Sequence, residues 1–120
     1  MATKRQLKKF VRNSCGALAA EIILARAAFP QIDRKQVHDI VADIAALQAD
    51  TLVKAGISFD KTPRDFADGH AYRKARSEYF ATAYGRLMEN FDSRIGEILK
   101  SMNAALPEQV REQFKEVASE

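Results

Sequence analysis

The sequence predicts an all-α protein: an antiparallel helical bundle of three main helices, with a long third helix and a short C-terminal helix, in a single domain over residues 1–120. Only five glycines and three prolines occur among the 120 residues, too few for the frequent turns of an all-β fold. Strong helix formers, alanine, leucine, lysine, glutamate, arginine and glutamine, dominate instead. The apolar residues also recur at the spacing that places them on one side of a helix.

The first predicted helix begins near Thr3 and ends before Pro30, because the residue before a proline disfavours helical geometry. Its second half is the apolar stretch GALAAEIILARAAF, interrupted by Glu21 and Arg26. This half has a second face of small and apolar residues, and a helix that is apolar on two faces is expected to be buried on two sides. The core arc consists of Leu7, Phe10, Val11, Leu18, Ile22, Ala25 and Phe29, and the second face of Gly16, Ala19, Ala20 and Ile23.

The second predicted helix begins after Asp33, which can cap its first turn while Gln36 reaches back in a capping box. It ends at Gly56, since glycine is favoured at a C-terminal cap. One side is apolar and includes Gln48 and Thr51, whereas three aspartates line the other. The apolar residues are Val37, Ile40, Val41, Ile44, Leu47 and Leu52, and the aspartates are Asp39, Asp43 and Asp50.

The third predicted helix follows the loop GISFDKTP, with Thr62 as its cap and Pro63 at its first position. Its apolar pattern continues in phase for about 40 residues, or about 60 Å. The alternative is a break at the sequence ENFDS, where Asp92 or Ser93 would cap a new helix. Pro107 ends the long helix and begins the short C-terminal one, whose apolar side contains Val110, Phe114 and Val117.

Several polar residues fall on core-facing positions. The short connection makes the first two helices antiparallel neighbours, which places Ser14 opposite Gln48, a pair that can satisfy itself inside the core. Glu21 is expected near Phe80 of the third helix and needs a partner there, because an unpaired buried carboxylate costs several kcal/mol or is protonated. Its expected partners are Tyr84, Ser77 and Arg73, and the expected buried polar residues are Glu21, Ser14, Gln48 and Tyr84.

Helix length predicts a contact surface. The first two helices are each about 35–40 Å long, so the third should extend beyond them by about 20 Å, from Phe91 onward. An exposed apolar stripe marks an interaction site, and the short C-terminal helix is too small to cover it all. We therefore expect a homodimer, with the face of Gly16, Ala20 and Ile23 as a second candidate contact. The main interface residues are Ile95, Ile98, Leu99, Met102 and Leu106.

No catalytic motif is found, and the sequence predicts neither a cofactor nor a metal site. His38 and His70 are the only histidines, and neither has the spacing to an acid that a helical metal site requires. Cys15 has no histidine on its helix to activate it, so we expect it to be buried packing. Glu21 is the best candidate for proton transfer, and an enzyme built on it is one functional alternative.

The net charge of +3 permits an anionic partner without requiring one. A stripe of cations on the first helix would suit phosphates, although no aromatic residue is interleaved on that face for base stacking. A lone cysteine fits a reducing cytoplasm, and the charged interruptions argue against a signal peptide or membrane span. The possible phosphate-contacting residues are Lys4, Arg5, Lys8, Lys9 and Arg12.

The opening KRQLKKFVRNSCGALAAEIILA, the later VADIAALQADTLVK and the long third helix resemble a group of small all-helical bacterial cytosolic proteins of unknown function. The likeness covers about the first half of the chain and implies the fold but no activity. We therefore predict a non-catalytic protein-interaction or assembly module, homodimeric and cytoplasmic, with an unidentified protein partner. The alternative is a nucleic-acid-associated factor that uses the cationic stripe of the first helix.

Overall fold

The computed structural model describes residues 3–107, which form three α-helices and one 3-10 turn. α1 spans Lys4–Ala28, α2 spans Arg34–Ala55 and α3 spans Gly69–Ala105. The predicted all-α bundle is therefore confirmed. The predicted C-terminal helix lies outside the described residues. No helix within residues 3–107 has the length and hydropathy to cross a membrane.

Local capping sets the starts of α1 and α2. The Thr3 hydroxyl accepts a 3.2 Å hydrogen bond from the Gln6 amide, and the Gln6 side chain accepts one of 2.9 Å from the Thr3 amide. This reciprocal box satisfies two amides that the helix leaves unpaired. Asp33 caps α2 by accepting from the Lys35 amide at 3.2 Å. The reciprocal bond expected from Gln36 is not formed within the described chain.

The third helix begins later than the sequence predicted. Thr62 begins only a 3-10 turn, Pro63–Asp65, in which the Asp65 carboxylate accepts a 2.8 Å hydrogen bond from the Thr62 amide. The backbone is extended at Phe66, and α3 begins after Asp68, whose carboxylate caps its first turn. Two successive caps therefore divide the segment, because Asp65 accepts from the amide of the cap residue Thr62 and Asp68 accepts from the Ala71 amide in the first turn of α3.

α3 is continuous over 37 residues, about 55 Å. It runs through the sequence ENFDS without a break, as the apolar pattern predicted. Phe91, in the middle of that sequence, is only 2% exposed and stays in phase with Leu87 and Ile98. Core packing thus maintains the helix here, where a break would turn Phe91 out of the core.

α2 packs against both other helices, and the order of directions is up, down, up. Leu7, Ala55 and Leu87 form a small cluster at one end of the bundle. The main core runs along the rest of the bundle and draws on all three helices. Its buried residues are Val11, Cys15, Ile22, Ile32, Val37, Ile40, Ile44, Leu47, Phe91, Ile98, Met102 and Ala105.

The end of α3 that projects beyond its neighbours is opposite to the predicted one. The Ala55 carbonyl, at the end of α2, accepts a 3.5 Å hydrogen bond from the Tyr84 hydroxyl, so residues 69–83 extend past α2. At the other end, Met102 and Ala105 are buried in the main core. The long connection over residues 56–68 explains the difference, since it lets α3 begin well beyond the end of α2.

Aromatic residues of this connection cover the projecting part of α3. The Phe59 ring lies 5.3 Å from the Tyr79 ring and 5.9 Å from the Tyr72 ring, measured between centroids. Phe66 contacts Tyr72 edge-on at 5.7 Å. Such tilted pairs contribute beyond the area they bury. A loop, and not a second helix, therefore packs on this end of α3.

Candidate interaction surfaces

The outer face of α1 is apolar and exposed. Ile23 and Leu24 are 52% and 67% exposed, and Glu21 and Arg26 are the only charged residues between positions 13 and 28. The expectation that this half of α1 is buried on two sides is wrong for a single chain, because its fully buried residues lie on one arc. We call this surface the α1 face; it consists of Gly16, Ala17, Ala20, Ile23, Leu24, Ala27 and Ala28.

Gly16 lies in the α1 face, and no contact within its own chain requires a glycine at this position. Its backbone is helical, and a Cβ added to it would meet nothing within 4 Å. A glycine inside a helix costs about 1 kcal/mol relative to alanine. Close approach of another backbone is one physical reason to keep a glycine at such a position.

A groove separates α1 from α3 on the side away from α2. One part, of about 540 Å³, is largely apolar, and a second, of about 260 Å³, continues it toward the start of α1. Glu21 lines both parts and is exposed to solvent. The apolar lining includes Leu24, Phe29, Met102 and Leu106 in the first part, and Phe10, Leu18, Phe91 and Ile95 in the second.

The apolar stripe predicted as the dimer interface is mostly internal. Ile98 and Met102 are only 8% and 9% exposed, whereas Leu99 is 46% exposed. Ile95 and Leu106 are half-buried and pack against the core. The predicted overhang from Phe91 onward does not exist, since this part of α3 lies alongside α1 and α2. The stripe is therefore core packing in a single chain.

Glu21 is exposed, so the prediction that it is a buried carboxylate is wrong. α1 and α3 run in the same direction, which brings Glu21 level with Asp92 and Ile95 at the groove. It does not lie near Phe80, because that residue belongs to the opposite end of the bundle. The burial on which its candidacy as a proton-transfer residue depended is absent.

The other expected buried polar residues are half-buried. No hydrogen bond joins Ser14 to Gln48 within the described chain, whereas Tyr84 donates to the Ala55 carbonyl. Burial raises the pKa of the Tyr84 hydroxyl. Thr51, which the sequence places on the apolar side of α2, is 2% exposed.

Cations are concentrated at one end of the molecule, which comprises residues 3–12 and 54–88 and which we call the basic end. It contains twelve lysines and arginines but four aspartates and glutamates. The rest of the described chain contains five lysines and arginines and eight aspartates and glutamates. Lys4 ties the two segments together, because its ammonium donates a 2.8 Å hydrogen bond to the Ile57 carbonyl. The cationic stripe of α1 therefore belongs to a larger basic region, which the sequence pattern alone did not indicate.

A surface depression of about 490 Å³ lies within the basic end. Phe59 and Tyr79 supply aromatic rings to its lining, Lys61 and Arg86 supply cations, and the Tyr79 side chain is exposed. The remaining lining residues are Asp60, Ala75, Glu78, Thr82 and Ala83. The combination of rings and cations is suited to planar, anionic ligands.

The structure places the candidate nucleophile Cys15 and the two histidines in different environments. Cys15 is 1% exposed, and burial raises the pKa of its thiol, which disfavours the reactive thiolate. His38 and His70 are both exposed. No group of three His, Cys, Asp or Glu side chains within residues 3–107 is arranged to hold a metal ion.

No protein-family model, curated protein or solved structure matches the chain. The fold and its surfaces define an all-α helical-bundle protein with an exposed apolar helix face and a separate basic end. Its function has to be inferred from the chemistry of these two surfaces.

Proposed function

We propose that the protein is a non-catalytic interaction and assembly module that associates as a homodimer through the α1 face. The exposure of Ile23 and Leu24 in a nearly uncharged helix face is the observation that carries the proposal, since such patches mark protein contacts. This surface replaces the predicted α3 stripe, because Ile98 and Met102 are already covered within one chain.

The α1 face is complementary to itself in an antiparallel crossing centred on Ala20. Leu24 of one copy then lies opposite Gly16 of the other, and Ile23 lies opposite Ala17. Each large side chain meets a small one, and the twofold axis repeats both contacts. Full burial of one such large side chain contributes about 1.5–3 kcal/mol.

Charge favours the same arrangement. The first three turns of α1 carry five cations and no acid. In the antiparallel crossing Arg12 lies opposite Ala28, at the C-terminal end of α1 in the second copy, where the helix dipole is negative. A parallel crossing would bring both cationic segments together and cause repulsion.

Sedimentation equilibrium of the full chain tests the proposal. Leu24→Glu places a carboxylate in the crossing and is expected to convert the dimer to a monomer. Val53→Glu is the matched control, because Val53 is 78% exposed on α2 and lies outside the α1 face. This variant is expected to stay dimeric, and circular dichroism checks that both variants retain their helix content.

Two results contradict the proposal. One is a wild-type chain that is monomeric at high micromolar concentration. The other is a dimer that survives both Leu24→Glu and Ile23→Glu, which would assign the contact to a different surface.

We place this module in the cytoplasm. The support is the single cysteine, Cys15, which is a free and buried thiol, as is common in proteins of reducing compartments. Periplasmic or secreted location of the native protein, measured by cell fractionation, would contradict this part of the proposal.

A further inference from the structure

The charge distribution divides the molecule into two unequal parts. The basic end has an excess of eight positive charges, whereas the rest of the described chain has an excess of three negative charges. Of the twelve cations at the basic end, only Lys54 forms an ion pair within 4.0 Å in residues 3–107. The other eleven have no carboxylate partner within residues 3–107, although the Lys4 ammonium donates to the Ile57 carbonyl and the Arg76 guanidinium lies 4.9 Å from the centroid of the Phe80 ring. Their positive charge is therefore available to an anionic ligand.

Two of the four acids at the basic end are engaged by the backbone. Asp65 accepts a hydrogen bond from the Thr62 amide, and Asp68 accepts one from the Ala71 amide, both at 2.8 Å. Asp68 thereby offsets the positive end of α3. The other two acids, Asp60 and Glu78, line the depression together with Lys61 and Arg86, so the excess of positive charge lies on the surface around the depression.

Two distant segments of the chain contribute to this one surface. Leu7 of α1 packs with Leu87 of α3, and Lys4 contacts the carbonyl of Ile57. The cationic stripe of α1 thus adjoins the cations along residues 73–86 of α3. This part of α3 alone is about 20 Å long, which corresponds to several nucleotides of an extended strand.

Aromatic rings lie among these cations, which the sequence pattern of α1 alone did not reveal. Tyr79 is 38% exposed, and its ring is held at 5.3 Å from both Phe59 and Phe80. A ring held by neighbouring rings loses little freedom when a base stacks on it. Lys61 and Arg86 line the same depression and are suited to the phosphates on either side of a stacked base.

We propose that the basic end binds single-stranded nucleic acid, with the phosphates on the cations of α1 and α3 and an unpaired base on Tyr79. Base stacking on an aromatic side chain and a groove of cations are the two elements of sequence-tolerant single-strand binding. A duplex keeps its bases stacked on one another and does not offer this contact. Tyr79, Lys9 and Lys74, which the variants below replace, lie outside the α1 face, so a loss of nucleic-acid binding can be distinguished from a loss of dimerisation.

Fluorescence anisotropy with the full chain and labelled single strands of about 20 nucleotides, DNA and RNA, tests this proposal. Saturable binding is expected, with an affinity that falls steeply between about 50 and 200 mM salt, because counterions are released from the phosphates. Tyr79→Ala should weaken binding by about tenfold, the value expected for loss of one stacked base. Tyr79→Phe retains the ring and should bind like wild type.

A matched pair of charge variants separates the surface from net charge. Lys9→Gln with Lys74→Gln removes two cations from the basic end. The slope of log affinity against log salt concentration should then become shallower by about 0.7 for each phosphate that is no longer neutralised. Lys35→Gln with Lys100→Gln removes the same charge from the opposite part and should leave binding unchanged. All four lysines are exposed, so these variants do not disturb the core.

Four outcomes overturn the proposal. The first three are the absence of saturable binding at low salt, equal losses of affinity from the two charge pairs, and an affinity for duplex DNA equal to that for the single strand with no effect of Tyr79→Ala. Displacement of the oligonucleotide by polyglutamate of equal charge would also overturn it, because an acidic polypeptide supplies charge without bases.

Discussion

Asp50 of α2 accepts a 2.8 Å hydrogen bond from the guanidinium of Arg94 of α3, and the Lys54 ammonium lies 3.1 Å from the same carboxylate oxygen. The bond joins residues 44 positions apart and marks the level at which the two helices align. The sequence pattern placed Asp50 on a solvent-facing side, with no indication of a partner on another helix.

Replacing Asp50 should change the acid dependence of stability. The hydrogen bonds from Lys54 and then from Arg94 hold the pKa of Asp50 below its ordinary value of 3.8. A lowered folded-state pKa stabilises the fold above the ordinary value and loses that effect as the pH falls through the lowered one. Asp50→Asn should therefore lower the free energy of unfolding at neutral pH, and its difference from wild type should shrink in acid.

Urea denaturation over the acid range measures this difference. Asp43→Asn is the matched control, because Asp43 is an exposed aspartate of α2 that forms no ion pair within the described chain. An equal effect of the two substitutions would attribute the change to net charge and not to the contact with Arg94.

Some residues of the apolar stripe of α3 are buried and others are exposed. Their replacement by alanine should therefore lower the free energy of unfolding by unequal amounts. Phe91→Ala should cost about 3–5 kcal/mol of unfolding free energy, because it leaves a cavity in the core. Leu99→Ala should cost about 0.5 kcal/mol or less, since Leu99 is 46% exposed. Chemical denaturation measures both, and similar losses would contradict the observed orientation of α3.

Two glycines that share an open environment allow a test of the proposed dimer. A Cβ at Gly16 or at Gly85 meets nothing within 4 Å, so leucine at either position should raise the stability of the single chain by about 1 kcal/mol. Gly16→Leu also fills the space opposite Leu24 in the antiparallel crossing. It should therefore weaken dimerisation by about tenfold or more, equivalent to ~1.4 kcal/mol, whereas Gly85→Leu should not.

Both variants are compared with wild type by thermal melting and sedimentation equilibrium. Equal dimer affinities for Gly16→Leu and Gly85→Leu would remove Gly16 from the interface while leaving the stability prediction intact.

The buried thiol of Cys15 should be unreactive in the folded chain. Burial raises its pKa and denies access to reagents, so a chromogenic disulfide should modify it only as fast as the protein opens. The urea-unfolded chain is the control and should react at once. Rapid stoichiometric modification of the native chain would show that the α1–α2 core is open around Cys15.

The ring contacts of Phe59 predict which part of α3 depends on the connection over residues 56–68. Phe59→Ala removes the ring that packs on Tyr72 and Tyr79. Hydrogen exchange of amides 72–82 should accelerate, while that of amides 90–102 should keep its protection, because the latter belong to the main core. Val53→Ala is the control and should leave both segments unchanged.

Much of the fold could be predicted from sequence because its signals are local. Thr3 and Asp33 cap helices through amides two or three residues away, and Pro30 and Gly56 act on their immediate neighbours. The continuity of α3 through Phe91 was predictable from apolar phase alone.

The start of α3 was not predictable from the sequence, because Thr62 and Asp68 both have the chemistry of a cap and only packing of Phe66 against Tyr72 distinguishes their roles.

The location of the candidate surfaces depended on tertiary structure more than the location of the helices did. The sequence by itself determined the three helices, their approximate ends and the residues able to face a core, since periodicity and capping act within a few residues. Only the tertiary structure decided which end of α3 projects, that Glu21 is exposed, and that the cations of α1 and α3 form one basic end. Those outcomes depend on the path of the connection over residues 56–68 and on the level at which Asp50 meets Arg94, and such long-range alignment leaves no periodic signal in the chain.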